Sequence, residues 1–163
     1  MKKYLAGICV LALLPLVSLC LAQGSKTNHA ADTDHMIVTL EGTKWGPAPP
    51  ALPPGAQTAA LTGDPSREGL YTLRAKLPAG YKVPPHWHPS DENVTVLKGN
   101  FVIGRGEKFD PATGQELTAG AFVHMPKGMR HFAFAKTEAI IQVHGNGPFE
   151  INYVNPADDP RKK

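Results

Sequence analysis

The sequence predicts an all-β domain closed into a sandwich or barrel. Short apolar and β-branched runs recur along the chain, as in Leu70–Leu77, Asn93–Lys98, Phe101–Arg105 and Ala139–His144. Glycine and proline clusters divide them: Pro78-Ala79-Gly80, Gly99-Asn100, Pro126-Lys127-Gly128 and Gly145-Asn146-Gly147-Pro148. Beyond the N-terminal leader, no segment keeps a helical period for more than one turn.

The leader comes first. Lys2 and Lys3 precede a run from Leu5 to Leu19 broken only by Gly7, Pro15 and Ser18, and small residues Cys20 and Ala22 follow. This order of charge, apolar run and small residues reads as a secretory signal peptide over residues 1–22. The run falls short of the roughly 20 residues that span a bilayer, so no stable membrane anchor is expected. Lipidation at Cys20 is a poorer fit than simple cleavage, because Leu19 stands where a small residue is favoured. The product is expected to be periplasmic in a bacterium, or secreted. Cleavage would remove both cysteines, Cys9 and Cys20, leaving neither a disulfide nor a thiol nucleophile. It would also leave 15 basic against 14 acidic residues, a balance with no electrostatic footprint for nucleic acid.

Residues 23–35 are small and polar and read as a flexible lead-in, with His29 and His35 solvated. One β domain is expected over residues 36–155. Met36–Leu40 reads as its first strand. The proline-rich stretch from Pro47 to Gly55 reads as an extended surface crossing, because proline fits neither a helix interior nor a central strand. Strands follow at Ala59–Leu61, Leu70–Leu77, Asn93–Lys98, Phe101–Arg105, Ala121–Met125, His131–Ala135, Ala139–His144 and Phe149–Val154. Residues 156–163, charged and holding Pro156 and Pro160, read as a disordered tail.

Three of the seven histidines stand in a pattern. His86 and His88 are separated by one residue, so on a strand they face the same way. Glu92 follows after Pro89-Ser90-Asp91 and can return to that face. His131 opens a later strand, behind the turn Pro126-Lys127-Gly128-Met129-Arg130. Imidazole nitrogens with one carboxylate suit Fe, Mn, Co, Ni, Cu or Zn better than Ca or Mg. On an octahedral ion, four such ligands leave positions open for chemistry. Glu92 is read as a ligand, with a general base beside the ion as its alternative role. Gly99 and Gly128 suit turn positions of positive φ, and Pro84-Pro85 stiffens the approach to His86. Gln142 and His144 alternate on a late strand and are candidates to line a pocket. Phe101 and Ile103 are candidates for its floor. Trp87 is expected to point away. Arg105, Lys127 and Arg130 are candidates for attracting an anion at the mouth. There is no nucleophile triad, phosphate-cradling loop or zinc-finger spacing.

The spacings Gly80-x5-His86-x-His88-x3-Glu92-x6-Gly99 and Gly120-x5-Pro126-x-Gly128-x2-His131 resemble the two motifs of the cupin superfamily. One position departs from the family pattern: Ala135 stands where the second motif often has Asn. The resemblance implies a cupin-type double-stranded β-helix, or jelly-roll barrel. It implies one divalent transition metal at the mouth, held by His86, His88, Glu92 and His131. It implies chemistry on a small molecule, dioxygenase-like as first choice, with non-catalytic capture of a small ligand or metal as the alternative. By analogy it implies a homodimer.

Overall fold

A computed structural model describes residues 35–163. The leader and most of the lead-in therefore lie outside the described residues. Residues 37–163 form a compact unit. Its strands are β1 (Gly46–Pro47), β2 (Gln57–Thr62), β3 (Gly69–Leu77), β4 (Lys82–Trp87), β5 (Glu92–Lys98), β6 (Phe101–Arg105), β7 (Gln115–Leu117), β8 (Phe122–Met125), β9 (His131–Ala135), β10 (Ala139–Gly147) and β11 (Asn152–Tyr153). No α-helix occurs among the described residues, only short 3-10 turns. Nor does any described helix have the length and apolarity to cross a membrane.

Two antiparallel sheets face each other in the jelly-roll manner. One has the order β1-β2-β3-β10-β5-β8 and the other β11-β4-β9-β6-β7. Alternation decides what lies between them. On β5, Glu92, Val94 and Val96 are buried while Asn93 and Thr95 are partly exposed. On β9, His131, Ala133 and Ala135 face inward. Phe132 packs outward beneath Phe109, over Gly104, where a Cβ would lie 2.0 Å from the Phe132 ring. Three tyrosines, Phe101, aliphatic residues and Met125 fill the interior, with three histidines and one glutamate among them.

Strand β4 breaks the alternation, and this break aims the H-x-H pair. Val83 and His86 both face the interior although they stand three positions apart, an odd step that regular alternation would send to opposite faces. The pairing of β4 with β9 shifts register between those two residues, where Pro84 and Pro85 have no N–H to give the ladder. A register slip by one residue reverses every later side chain. Here the bulge turns His86 inward, and His88 with it.

Several expectations change. Met36–Leu40 is not a strand. Its backbone is claimed by a side chain: Arg74 donates to the carbonyls of Thr39 (2.8 Å) and Val38 (3.3 Å) and to Thr43 Oγ1. Pro47 does join a sheet, at the edge position that proline tolerates. Strands β4 and β7 were not expected, and the expected Phe149–Val154 strand shortens to β11. The tail is not disordered in the structure. Residues 156–158 and 160–162 form 3-10 turns, capped by Asn155 and Asp159, and Arg161 ties the tail back to the Ile151 carbonyl.

Gly99 and Gly128 both take positive φ, at 81° and 76°. At Gly99 a Cβ would also stand 2.0 Å from the Glu138 carbonyl oxygen, whereas at Gly80, also at φ 81°, it would meet nothing. Gly80→Ala is expected to cost about 1–3 kcal/mol from backbone strain alone. Gly99→Ala is expected to cost more, and urea unfolding of the two variants side by side checks the order.

Candidate metal centre

His86 and His131 face each other directly across β4 and β9, with ring centroids 4.2 Å apart. His88 leaves the end of β4, its ring 5.0 Å from His86 and 5.2 Å from His131. All three are buried, and each offers a ring nitrogen within 4.8 Å of the other two. The turns that carry them are stitched together. Gly128 N–H donates to the His88 carbonyl (2.8 Å), and Lys127 N–H donates to Asp91 Oδ1 (2.8 Å). The loop before His131 is thereby fastened to the loop after His88.

The hydrogen bonds of the imidazoles determine which nitrogen is free. Each Nδ1 faces a backbone carbonyl: Pro84 for His86 (2.7 Å), Glu150 for His88 (2.6 Å) and Met129 for His131 (3.0 Å). A carbonyl only accepts, so each Nδ1 carries the proton and each neutral ring leaves a lone pair on Nε2. Carbonyl partners of this kind fix tautomer and ring orientation in metal-binding histidines. His88 Nε2 is buried and has no hydrogen bond. It stands 3.2 Å from Glu92 Oε2, and His131 Nε2 stands 3.4 Å from the same oxygen. Two donors bound at about 2.1 Å to one ion lie roughly 3.0–3.4 Å apart when adjacent. The separations and the orphaned nitrogen fit an ion shared by these residues.

Electrostatics point the same way. Burial, helped by the neighbouring His131 and His88, pushes His86 down to about 3, so it stays neutral at ordinary pH. Burial works to raise the Glu92 carboxyl, but His88 and His131 outweigh it and hold Glu92 well below the usual carboxylate range. Burial likewise works against a charged His88, and Glu92 outweighs it, raising the His88 pKa. An anionic carboxylate facing a buried lone pair at 3.2 Å needs a positive species between them. That species is a proton on His88 or a metal ion.

Around these four side chains lies a cavity of about 70 Å³ whose other walls are all apolar. Phe101 and Ile103 line it, as expected. Gln142 and His144 do not. They lie on the outer face of β10, where Gln142 accepts from Arg74 Nε (3.2 Å) and His144 stacks near Phe122, while Ile141 and Val143 point inward. Trp87 lies off the cavity and half-buried. Arg105, Lys127 and Arg130 also lie off the cavity, and Arg130 is paired with Glu107 (2.9 Å). Sequence reasoning missed Phe149, which stacks on His88 at 4.6 Å between ring centroids. It also missed the Glu150 carbonyl. An aromatic residue beside the final turn was the available signal for Phe149. A backbone carbonyl leaves no signal in a sequence.

A model of the family described as "Domain of unknown function (DUF4437)" matches residues 26–162. The chain belongs to that family. A search of the curated proteins finds no match. Among solved structures, polyketide cyclase RemF from Streptomyces resistomycificus is 16% identical with a TM-score of 0.62, over 79% of this chain and 92% of its own. A proposed acetylacetone dioxygenase from Methylibium petroleiphilum is 20% identical with a TM-score of 0.58, over 78% and 85%. An RmlC-like cupin from Shewanella frigidimarina is 17% identical with a TM-score of 0.53, over 69% and 91%. At these identities the likeness is one of fold. This DUF4437 chain has the cupin fold, and its three clustered histidines could hold a metal.

A proton on His88 competes with a metal ion for Nε2. Metal affinity is therefore expected to rise with pH up to the raised His88 pKa and to level off above it, by up to tenfold per pH unit for one displaced proton. Calorimetry in buffers of different ionisation enthalpy counts the protons released. His88→Ala is expected to release up to one fewer.

Proposed function

We propose that this cupin is a metal-dependent enzyme acting on a small organic molecule, with dioxygenase-type chemistry the first reading. The observation that carries it is the cavity. Its polar lining is His86, His88, Glu92 and His131, and every other wall is aliphatic, aromatic or thioether. These four residues would hold one divalent transition ion, which supplies a Lewis acid and, if redox-active, a partner for O₂. The imidazoles have their orientation set in advance by the three carbonyls. The apolar walls exclude water and raise the strength of every charge interaction inside. Glu92 is ionised and buried, so it can ligate or accept a proton from an acidic C–H or O–H group of a bound substrate.

The walls also describe the substrate. A cavity of about 70 Å³ is roughly half the 150 Å³ that admits benzene in an engineered apolar cavity. Catechols and flavonols are therefore poorer candidates than a compact molecule. No wall group other than the four donors can hydrogen-bond or counter a charge. The substrate class that fits has oxygen atoms able to chelate and small apolar substituents, as a short 1,3-diketone has. The apolar lining gives sugars and phosphate esters nothing to bind. The leader pattern in residues 1–22 supports an exported protein.

One observation favours non-catalytic capture as a second reading: Glu92 is the sole carboxylate in the cavity, so no separate acid and base pair is present. O₂ uptake by the metal-analysed protein against short 1,3-diketones, catechol and a flavonol separates the two. The expected result is a redox-active metal and uptake with the diketones, none with the flavonol, and at least a tenfold loss of uptake in Glu92→Gln. Redox-inert zinc with no turnover of any compound would leave capture as the function.

A further inference from the structure

We propose that the C-terminal tail positions a metal ligand, with Arg161 and Asp159 as positioning residues that hold His88 in its ligating orientation through Phe149, Glu150 and Ile151. The inference rests on the metal reading above and asks what keeps one of its ligands in place.

The three histidines are not oriented in the same way. His86 and His131 each donate to a carbonyl two residues back on their own backbone, so their orientation comes with the local chain. His88 donates to Glu150, 62 residues away. The ring of Phe149 covers one face of His88 at 4.6 Å and 22°. His88 is therefore held from outside its own strand, by a segment that lies between the end of β10 and the start of β11 and belongs to neither.

That segment is fastened at two points. Phe149 N–H donates to the Pro65 carbonyl (2.7 Å). Arg161 Nη2 donates to the carbonyl of Ile151 (2.9 Å), the residue after the one that receives the His88 proton. The guanidinium is itself fixed by a two-point bond to Asp159, Nε to Oδ1 at 2.8 Å and Nη2 to Oδ2 at 2.9 Å. Asp159 is buried, at 6% exposure, although it sits four residues from Lys163. This charge-assisted two-point bond keeps Arg161 in place. Asp159 Oδ1 also caps the Arg161 N–H (3.0 Å). Without Arg161 the Ile151 carbonyl loses its anchor and His88 loses a fixed partner. The orientations of His86 and His131 do not depend on it.

Co(II) is the probe, with affinity measured by competition against a chromophoric chelator and ligand geometry read from the visible spectrum. Arg161→Ala is expected to weaken Co(II) binding about tenfold, at the low end for a residue behind a ligand, and to alter the spectrum. Asp159→Asn is expected to act in the same direction, and carries the comparison should Arg161→Ala fail to fold. Lys162→Ala, exposed and adjacent, is expected to change neither. If Arg161 acts through His88, then in a His88→Ala background Arg161→Ala costs less than twofold, an outcome that general loosening would not produce. Binding within twofold of the parent and an unchanged spectrum in both Arg161→Ala and Asp159→Asn would overturn the proposal, as would a tenfold cost that persists without His88. Should His88→Ala bind Co(II) as tightly as the parent, the metal reading itself fails; a weak His88→Ala beside an unchanged Arg161→Ala sinks the tail's role alone.

Discussion

Three imidazoles whose Nδ1–H groups donate to backbone carbonyls all turn their Nε2 atoms into one apolar cavity beside a carboxylate, and each neutral ring presents a bare lone pair there. That arrangement is unfavourable by itself. Acceptors gathered in a low-dielectric interior repel one another, and burying them unpaired costs on the order of 1–3 kcal/mol each. Nothing in the stability of a jelly roll calls for it, since the same strands place valine and alanine at neighbouring inward positions. A cation removes the cost, and the remainder of the site is the machinery that keeps the four groups where a cation would be.

That machinery is distributed over both sheets. Glu92 sits at the first inward position of β5, below Val94 and Val96 in the same column. His131 opens β9 opposite His86, so the antiparallel register sets their spacing. The two prolines of β4 supply a bulge that brings the H-x-H pair to the interior. Gly128 and Asp91 lock the two loops to each other, and the tail fastens the segment over His88. The apolar walls then leave the four donors as the only polar handle in the cavity, so the choice of ligand would rest on the chemistry of an ion held there.

The fold class was legible because turn glycines and prolines punctuate the chain at strand spacing. The approach of His86, His88, Glu92 and His131 was legible because strand alternation and the motif spacing both bear on it. What could not be read has physical reasons. Strand β4 hides behind Pro84 and Pro85, which ordinarily argue against a strand and here mark a bulge within one. Met36–Leu40 has the composition of a strand, but Arg74 takes its carbonyls. Gln142 and His144 alternate as pocket residues would, yet the parity of β10 gives the interior to Ile141 and Val143. The tail's role depends on one arginine meeting a backbone carbonyl ten residues earlier, and no composition rule separates that from fraying.

Anomalous diffraction from crystals of the Co(II)-loaded protein addresses the central claim most directly. The expected result is one strong peak about 2.0–2.3 Å from the Nε2 atoms of His86, His88 and His131 and from a carboxylate oxygen of Glu92. A peak confined to exposed histidines such as His124, or a cavity that stays empty of metal with the four side chains in place, would contradict it.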